Sequence, residues 1–463
     1  MIARRTLLTS LTGLTAAVTI APASAVRAME RFDLVQLRGG FEDGLGGSLD
    51  GLRAGALDDQ SGAFQRSLDQ ASAELRPIFL PAGRYVVSDI SIPDGTRLSG
   101  VPGATQIVHG GTGRFLRCEN ADRVDLSGLV IDGDNRWLAD DSQATLEARN
   151  VAQLNLTDCE LRGSRRNALV MERCGGRITR NRISGAADMG LYAVESIGLS
   201  ITDNHVFDCG NGGILVHRWS EGPDNSIVTG NRVERIRSDA GGTGQTGNGI
   251  NIFRAGNVMV ANNHVSDCAF SAIRSNSGSN VQIVANQCLG SGETAVYSEF
   301  AFEGAIIANN LIDGGANGIS IANFNEGGRL STVSGNIVRN IVAPGPYEAI
   351  GPGFGWGIAV EADTAVNANT IERVSKWGML LGWGPYLRNV AATGNIVRDV
   401  PVGVAVSVVE SAQAALISDN IFEGAPGGAV VGFRWGEPAT VDLTANRSPA
   451  SAAHLTIERN TVS

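Results

Sequence analysis

Lysine is nearly missing from this sequence: of 37 basic residues, only Lys376 is not an arginine. Proline is scarce as well, with 14 residues against 60 glycines, and aromatic residues make up only 5%. Glycine at that density without a collagen period, in a chain that is 43% hydrophobic, excludes both a triple helix and a disordered polymer. Positive charge is in the minority, and the formal net charge of −10 excludes a sequence-independent grip on nucleic acid or on an anionic membrane surface. It does not exclude a local basic groove on an acidic body. Metal and redox signatures are lacking too. There is no CxxC or CxxCH, no His/Cys cluster and no nucleotide-type GxGxxG after a strand, so no cofactor or metal is visible in the sequence. Six cysteines in an exported chain would invite a disulfide framework, but a chain of 463 residues needs no staples. Cys209 and Cys268 occupy equivalent positions two repeats apart, too far to bridge.

Residues 1–25 read as an address. Arg4-Arg5 precedes a weakly apolar stretch, and Ala23-Ser24-Ala25 supplies a small-residue cleavage site. The arginine pair has the form of a twin-arginine signal, so the expected partner during export is the twin-arginine translocase and the expected location is periplasmic or secreted. No later apolar run is long enough to span a membrane. A lead-in over 26–57 is expected before the folded part.

What the chain has in abundance is one short phrase. "SGNIVRNI" around Asn336 nearly recurs as "TGNIVRDV" around Asn395, with looser copies centred on Asn181, Asn204, Asn231, Asn263, Asn286, Asn310, Asn369 and Asn420. Asn446 and Asn460 continue the series imperfectly. The spacing of 23–33 residues is a solenoid period. Within each unit the apolar residues alternate, as in "NGINIF", "NGISIA" and "VGVAVS", which is strand patterning. A strand-only unit cannot bury its own apolar face, whereas coiling pairs each unit with the next and stacks the apolar residues into one core. The expected fold is therefore all-β, a single-stranded parallel β-helix running from about residue 77 to the C-terminus. At each corner an inward asparagine bonds its equivalents above and below. Before the coils, residues 58–75 place Phe64, Leu68, Ala71 and Leu75 at helical spacing, which predicts a helix capping the open end of the core.

Period-2 alternation also sorts the outward residues of one strand per coil. The outward pairs are Val170/Glu172, Tyr192/Val194, Leu215/His217, Asn251/Phe253, Arg274/Asn276 and Tyr297/Glu299, followed by Ser320/Ala322, Ala359/Glu361, Leu380/Gly382, Ala405/Ser407 and Val430/Gly432. Central coils thus present His217, Arg274, Tyr297 and Glu299 on one stripe, a set able to supply acid, base and anion clamp. These four are the candidate catalytic residues, with Arg274 able to grip a carboxylate. Their outward position predicts little effect of substitution on stability. Asn251, Arg254, Asn276 and Glu361 are candidate substrate contacts, and Glu172 is a weaker one. Trp219 and Trp383, in the turns "HRWSEG" and "LGWGPY", can stack on sugar faces. Two long corner inserts, 236–248 and 342–356, leave the same corner four coils apart, about 19 Å, and form the expected walls of a cleft.

The cap, "D-x-x-A-F-Q" leading into "F-L-P-A-G-x-Y", together with the coils, resembles right-handed pectate-lyase-like β-helix proteins acting on acidic polysaccharides. The chain lacks the Asn-Thr-Asp, Asp-Asp and Gly-His-Gly set of polygalacturonases, the Tyr-Gly-Phe-Asp-Pro-His stretch of mannuronan epimerases and the acidic cluster of calcium-dependent lyases. With Arg4-Arg5 and the "G-N-x-V" repeat it also resembles a family of twin-arginine-translocated bacterial repeat proteins, whose repeat is regarded as a cofactor-binding unit. These resemblances imply three alternatives: a lyase, epimerase or hydrolase acting on an acidic polysaccharide, a non-catalytic glycan-binding envelope protein, or an exported cofactor-binding protein.

Overall fold

A computed structural model describes residues 51–463 except 112, 323, 349–350 and 446–449. The expected signal peptide, most of the lead-in and Asn446 lie outside the described residues. Helix α1 (Ser61–Ala73) buries Phe64, Leu68 and Ala71. Leu75, at the same spacing, is instead 78% exposed, because the chain has already left the helix through a left-handed turn with φ of 53°. The helix closes the first strand edge with side chains. Gln65 both donates to Ser91 O (2.7 Å) and accepts from Ser91 N (2.9 Å), and Ser61 Oγ accepts from Ser88 N at 2.8 Å. An edge that would otherwise offer free donors and acceptors is thereby covered.

Each following coil contributes to three parallel sheets. The first contains Met189–Val194, Gly212–Pro223, Asn248–Gly256 and Ile273–Asn276. The second contains Gly176–Thr179, Ser200–Thr202 and Ile227–Thr229. The third contains Arg182–Ser184, His205–Phe207 and Arg232–Glu234. Strand n pairs in register with its equivalent one coil on, as in Leu215↔Asn251, Asn251↔Arg274 and Arg274↔Tyr297. Inward residues such as Ile214, Val216, Ile250 and Ile252 are fully buried and form one continuous core. The six cysteines are free and buried in it, and burial pushes the Cys159, Cys209 and Cys268 thiols up to about 12.

The asparagines stack as expected. Asn310 Oδ1 accepts from both Asn286 N (2.9 Å) and Asn286 Nδ2 (3.0 Å), while Asn310 Nδ2 donates to Ile283 O (2.9 Å) and Asn336 Oδ1 (3.0 Å). The residue before each ladder asparagine turns left-handed, with φ of 57° at Asp203 and 65° at Gly335 and Gly394, which explains glycine in the "GNIV" copies. After the corner the valine points in and the isoleucine out: Val338 is buried and Ile337 is 46% exposed. At the far end Asn420 N and Nδ2 both donate to Asn460 Oδ1 at 3.0 Å. Replacing Asn310 with leucine should cost about 1–3 kcal/mol, because the buried Asn286 N–H loses its acceptor. Thermal melting checks this, and an unshifted Tm would contradict the ladder's role.

The last coil departs from expectation. Ala405 pairs with Val431 and Ser407 with Phe433, so the outward pair is Val431/Phe433 and not Val430/Gly432, whose Val430 lies in the core. The chain enters that strand through Gly428 at φ 121°, one residue early. Val430–Arg434 then folds into an antiparallel hairpin with Glu437–Asp442, and the Asp442 carboxylate accepts from Ala429 N at 2.7 Å, tying the hairpin down over this end.

Candidate functional site

On the outward face of the first sheet, residues two apart within a strand and residues in register on neighbouring coils form a grid. Arg274 and Glu299 meet across one diagonal of it. Arg274 Nε donates to Glu299 Oε1 at 2.6 Å, and Asn276 Nδ2 donates to the same oxygen at 3.1 Å. A second carboxylate, Glu293, approaches from the corner before the strand, with Oε2 3.9 Å from Arg274 Nη1. Arg274, Glu293 and Glu299 are 9%, 2% and 3% exposed, so the charges are held largely away from water.

The two long inserts close over this cluster. Gly244, at φ 115°, lies so close to Arg274 that a Cβ there would stand 1.8 Å from Nη1, and Asn248 Nδ2 fixes the turn by donating to Gly244 O at 2.7 Å. From the other insert, the Tyr347 hydroxyl donates to Glu293 Oε1, and its ring stacks on Phe270 with centroids 6.2 Å apart. Gly355 N anchors the insert to Asn317 Oδ1 at 2.9 Å. Tyr297 is half-buried, with the Arg274 guanidinium 5.2 Å from its ring centroid, and is more exposed than Arg274, Glu293 and Glu299.

Burial raises both carboxyls above their ordinary range. For Glu293 the rise survives bonds from Tyr347 and Ser271 and the charge of Arg274, and for Glu299 it survives Arg274 and Asn276. Burial also works against the Arg274 charge, but the two carboxylates outweigh it and hold the guanidinium above its usual value. The Tyr297 phenol is pushed up by burial and then by Glu299, and Tyr347 by burial and its bond to Glu293, so both stay protonated. The arrangement can therefore supply a proton from a carboxylic acid, a neighbouring carboxylate held by a cation and phenol donors.

The other sequence-stripe residues fall outside this centre. His217 lies between Tyr192, edge-on at 5.2 Å, and Phe253, tilted at 5.4 Å, two coils and about 10 Å from Arg274. Burial lowers its pKa to about 4, which keeps it neutral at physiological pH. Asn251 is in register with Arg274 and 7% exposed. Arg254 Nη1 donates to Trp219 O at 2.6 Å and so braces that turn, while the Trp219 ring lies under Arg173 at 4.7 Å and remains 52% exposed. Trp383 packs edge-on to Trp435 at 5.6 Å, against the apolar outward face of Ala359, Leu380 and Ala405, which makes it a packing residue. Glu361 follows Val360, the partner of Ile321, and lies two coils beyond Glu299. Glu172 is bound to Arg173 at 2.6 Å on the surface.

Arg274 is thus already engaged by protein carboxylates and is no vacant clamp for a sugar carboxylate. Sequence reasoning missed Glu293 and Tyr347. Glu293 precedes the aligned strand by two residues, where alternation assigns no direction, and Tyr347 sits in an insert whose path no periodicity encodes. Among the described residues no cluster of His, Cys, Asp and Glu is arranged to hold a metal.

Comparison with known proteins bears on the fold. A family model described as right handed beta helix region matches residues 124–244. No curated protein matches the chain in sequence. Among solved structures, a PL6 alginate lyase in complex with a trisaccharide superposes with a TM-score of 0.50 at 13% identity, over 96% of this chain and 94% of that one. A mannuronic acid specific polysaccharide family 6 lyase from human gut microbiota gives 0.49 at 14% identity, over 81% and 91%. The pre-mature bacteriophage phi29 gene product 12 gives 0.47 at 16% identity, over 89% of this chain, which spans 60% of that protein's length. At such identities the likeness shows the fold alone, a right-handed parallel β-helix.

Proposed function

We propose that the protein is a polysaccharide-cleaving enzyme whose reactive centre is the Arg274–Glu293–Glu299 cluster, acting by hydrolysis. The supporting observation is the carboxyl pair sharing one guanidinium between two loop walls. Glu299 takes bonds from Arg274 and Asn276, which favour its ionised form. Glu293 takes its hydrogen bonds from the neutral hydroxyls of Tyr347 and Ser271 and stands 3.9 Å from the guanidinium, against 2.6 Å for Glu299, which makes it the better candidate for the protonated partner. In this reading Glu293 donates its proton to the glycosidic oxygen as the C–O bond breaks, and Glu299 serves as the carboxylate that activates water or stabilises the developing cation. Tyr297 contacts the sugar from the cleft side. A lyase or epimerase would need a base to remove a carbon-bound proton, and a tyrosine whose pKa is raised is poorly suited to that task.

A second reading, a non-catalytic glycan-binding protein, is favoured by the near-complete burial of both carboxyls beneath the inserts. One experiment separates the readings. Purified full-length protein is incubated with neutral glucans and polyuronates while reducing ends and unsaturated uronate absorbance are followed. Hydrolysis releases reducing ends without the chromophore. Appearance of the chromophore replaces hydrolysis with elimination, and binding without any new ends leaves the second reading. We further propose export through the twin-arginine route, supported by Arg4-Arg5 and Ala23-Ser24-Ala25.

A further inference from the structure

The second sheet carries a feature of different character. Its outward residues on four successive coils line an open groove of about 940 Å³, extending across Arg123, Gln153, Arg177 and Ser200. Three strand spacings separate the first and last of these coils, about 14 Å. Along the side nearest the first sheet, Ala152, Gly175 and Gly198 bring almost no side chain, which leaves the hollow between the projecting arginines.

The charges in this groove are not equivalent. Arg123 Nε is bound to Asp125 at 2.8 Å, and Arg180 Nε to Asp158 at 2.8 Å. Arg177, in register with Asn155 and Ser200 at the centre of the groove, is exposed, and among the described residues its guanidinium has neither an ion-pair nor a hydrogen-bond partner. Counting the lining residues, three arginines against Asp125 give 3 − 1 = +2, and including Asp158 leaves +1, on a chain whose formal charge is −10. An exposed guanidinium without a partner in a polar hollow presents two parallel N–H donors, the arrangement that matches a carboxylate or sulfate. Around it stand Gln153, whose Oε1 accepts from Arg123 at 3.2 Å, Asn155, whose Nδ2 donates to Asp125 at 2.7 Å, and Ile197, 59% exposed at the rim, which offers an apolar face.

We infer that this groove is a binding site for an acidic polysaccharide strand lying along the axis of the coil, with one anionic group of the sugar chain seated on Arg177. The inference draws its ligand class from the polysaccharide reading, but the site shares no residue with the Arg274 cluster and lies on another sheet. It assigns the recognition of negative charge to Arg177, a role that the engaged Arg274 does not fill. A polymer held here is tethered to the rod while other segments of it sample the cluster, which raises their effective concentration.

The test uses the full-length protein and two fluorescently labelled probes, an oligouronate and a neutral oligoglucan of equal length, read by anisotropy. The oligouronate should bind preferentially, and more weakly as salt is added. Arg177→Glu should weaken it at least tenfold with unchanged Tm, while Arg177→Lys should keep much of the binding. Glu293→Gln should leave oligouronate affinity unaffected, so failure of the groove and failure of the cluster give different patterns. Hydrogen exchange should show ligand protection at residues 175–180. Equal affinity of wild type and Arg177→Glu, equal binding of the neutral probe, or protection confined to residues 237–248 would each overturn the inference.

Discussion

Glu293→Gln should lower polysaccharide turnover by roughly 10²–10⁴-fold, the range for losing a general acid, while leaving the fold intact. Glutamine keeps the shape of the side chain and can still meet the Tyr347 hydroxyl, so Tm should hold. The pH dependence sharpens the expectation. Burial raises the Glu293 pKa, and the group acts in its protonated form. Activity should therefore be present below that raised value and fall as pH rises through it, with a midpoint above the ordinary glutamate value of about 4.3. In Glu293→Gln the residual activity should lose this alkaline limb. A variant with wild-type turnover and an unchanged pH profile would remove Glu293 from the chemistry.

Arg274→Ala should destabilise the protein by about 3–5 kcal/mol at neutral pH, since it strands the buried Glu299 carboxylate and takes the cation away from Glu293. The sign of the pH effect follows from linkage. Without Arg274 the carboxyl pKa values rise further in the folded state, so the native protein holds protons that the unfolded chain releases above about pH 4.3. The loss of stability should accordingly grow as pH rises and shrink on acidification. Urea unfolding at mildly acidic and neutral pH measures it, and an unchanged midpoint at both would show that the charges are solvated after all. This outcome reverses the expectation that an outward residue carries little stability. Alternation correctly sends Arg274 away from the core, but two inserts then cover it, and outward is not the same as exposed.

That case marks how far the sequence could be read. The asparagine ladder was legible because each rung repeats one residue type at one spacing, and its hydrogen bonds demand identity between neighbours. The cap was legible because Phe64, Leu68 and Ala71 share a helical face. The outward rows were legible up to the last coil, where the entry through Gly428 and Ala429 shifts the frame by one residue. The pairing within the site was not. Period 2 places Arg274 and Glu299 on the same face, yet whether they join each other, a substrate or His217 depends on the diagonal contacts and on what the inserts bring. Glu293 and Tyr347 enter through corners and loops, where side-chain direction follows tertiary packing and leaves no periodic trace. The basic groove admitted by the net charge required register too, because only the alignment of Asn155, Arg177 and Ser200 shows which arginine stands without a partner.

The ladder has a consequence for the chain's history. Every interior rung offers the same two donors and one doubly accepting oxygen to its neighbours, from Asn204 to Asn420. A coil duplicated or excised within the run Asn369–Asn395–Asn420 would meet matching partners on both sides, so gene-level duplication or unequal recombination there leaves no mismatched joint. The coils from Asn231 to Asn336 enjoy no such freedom, because Gly244 and Tyr347 must reach Arg274 and Glu293 from a fixed number of coils away. Length variation among descendants of this gene should therefore accumulate toward the C-terminal third and spare the central coils.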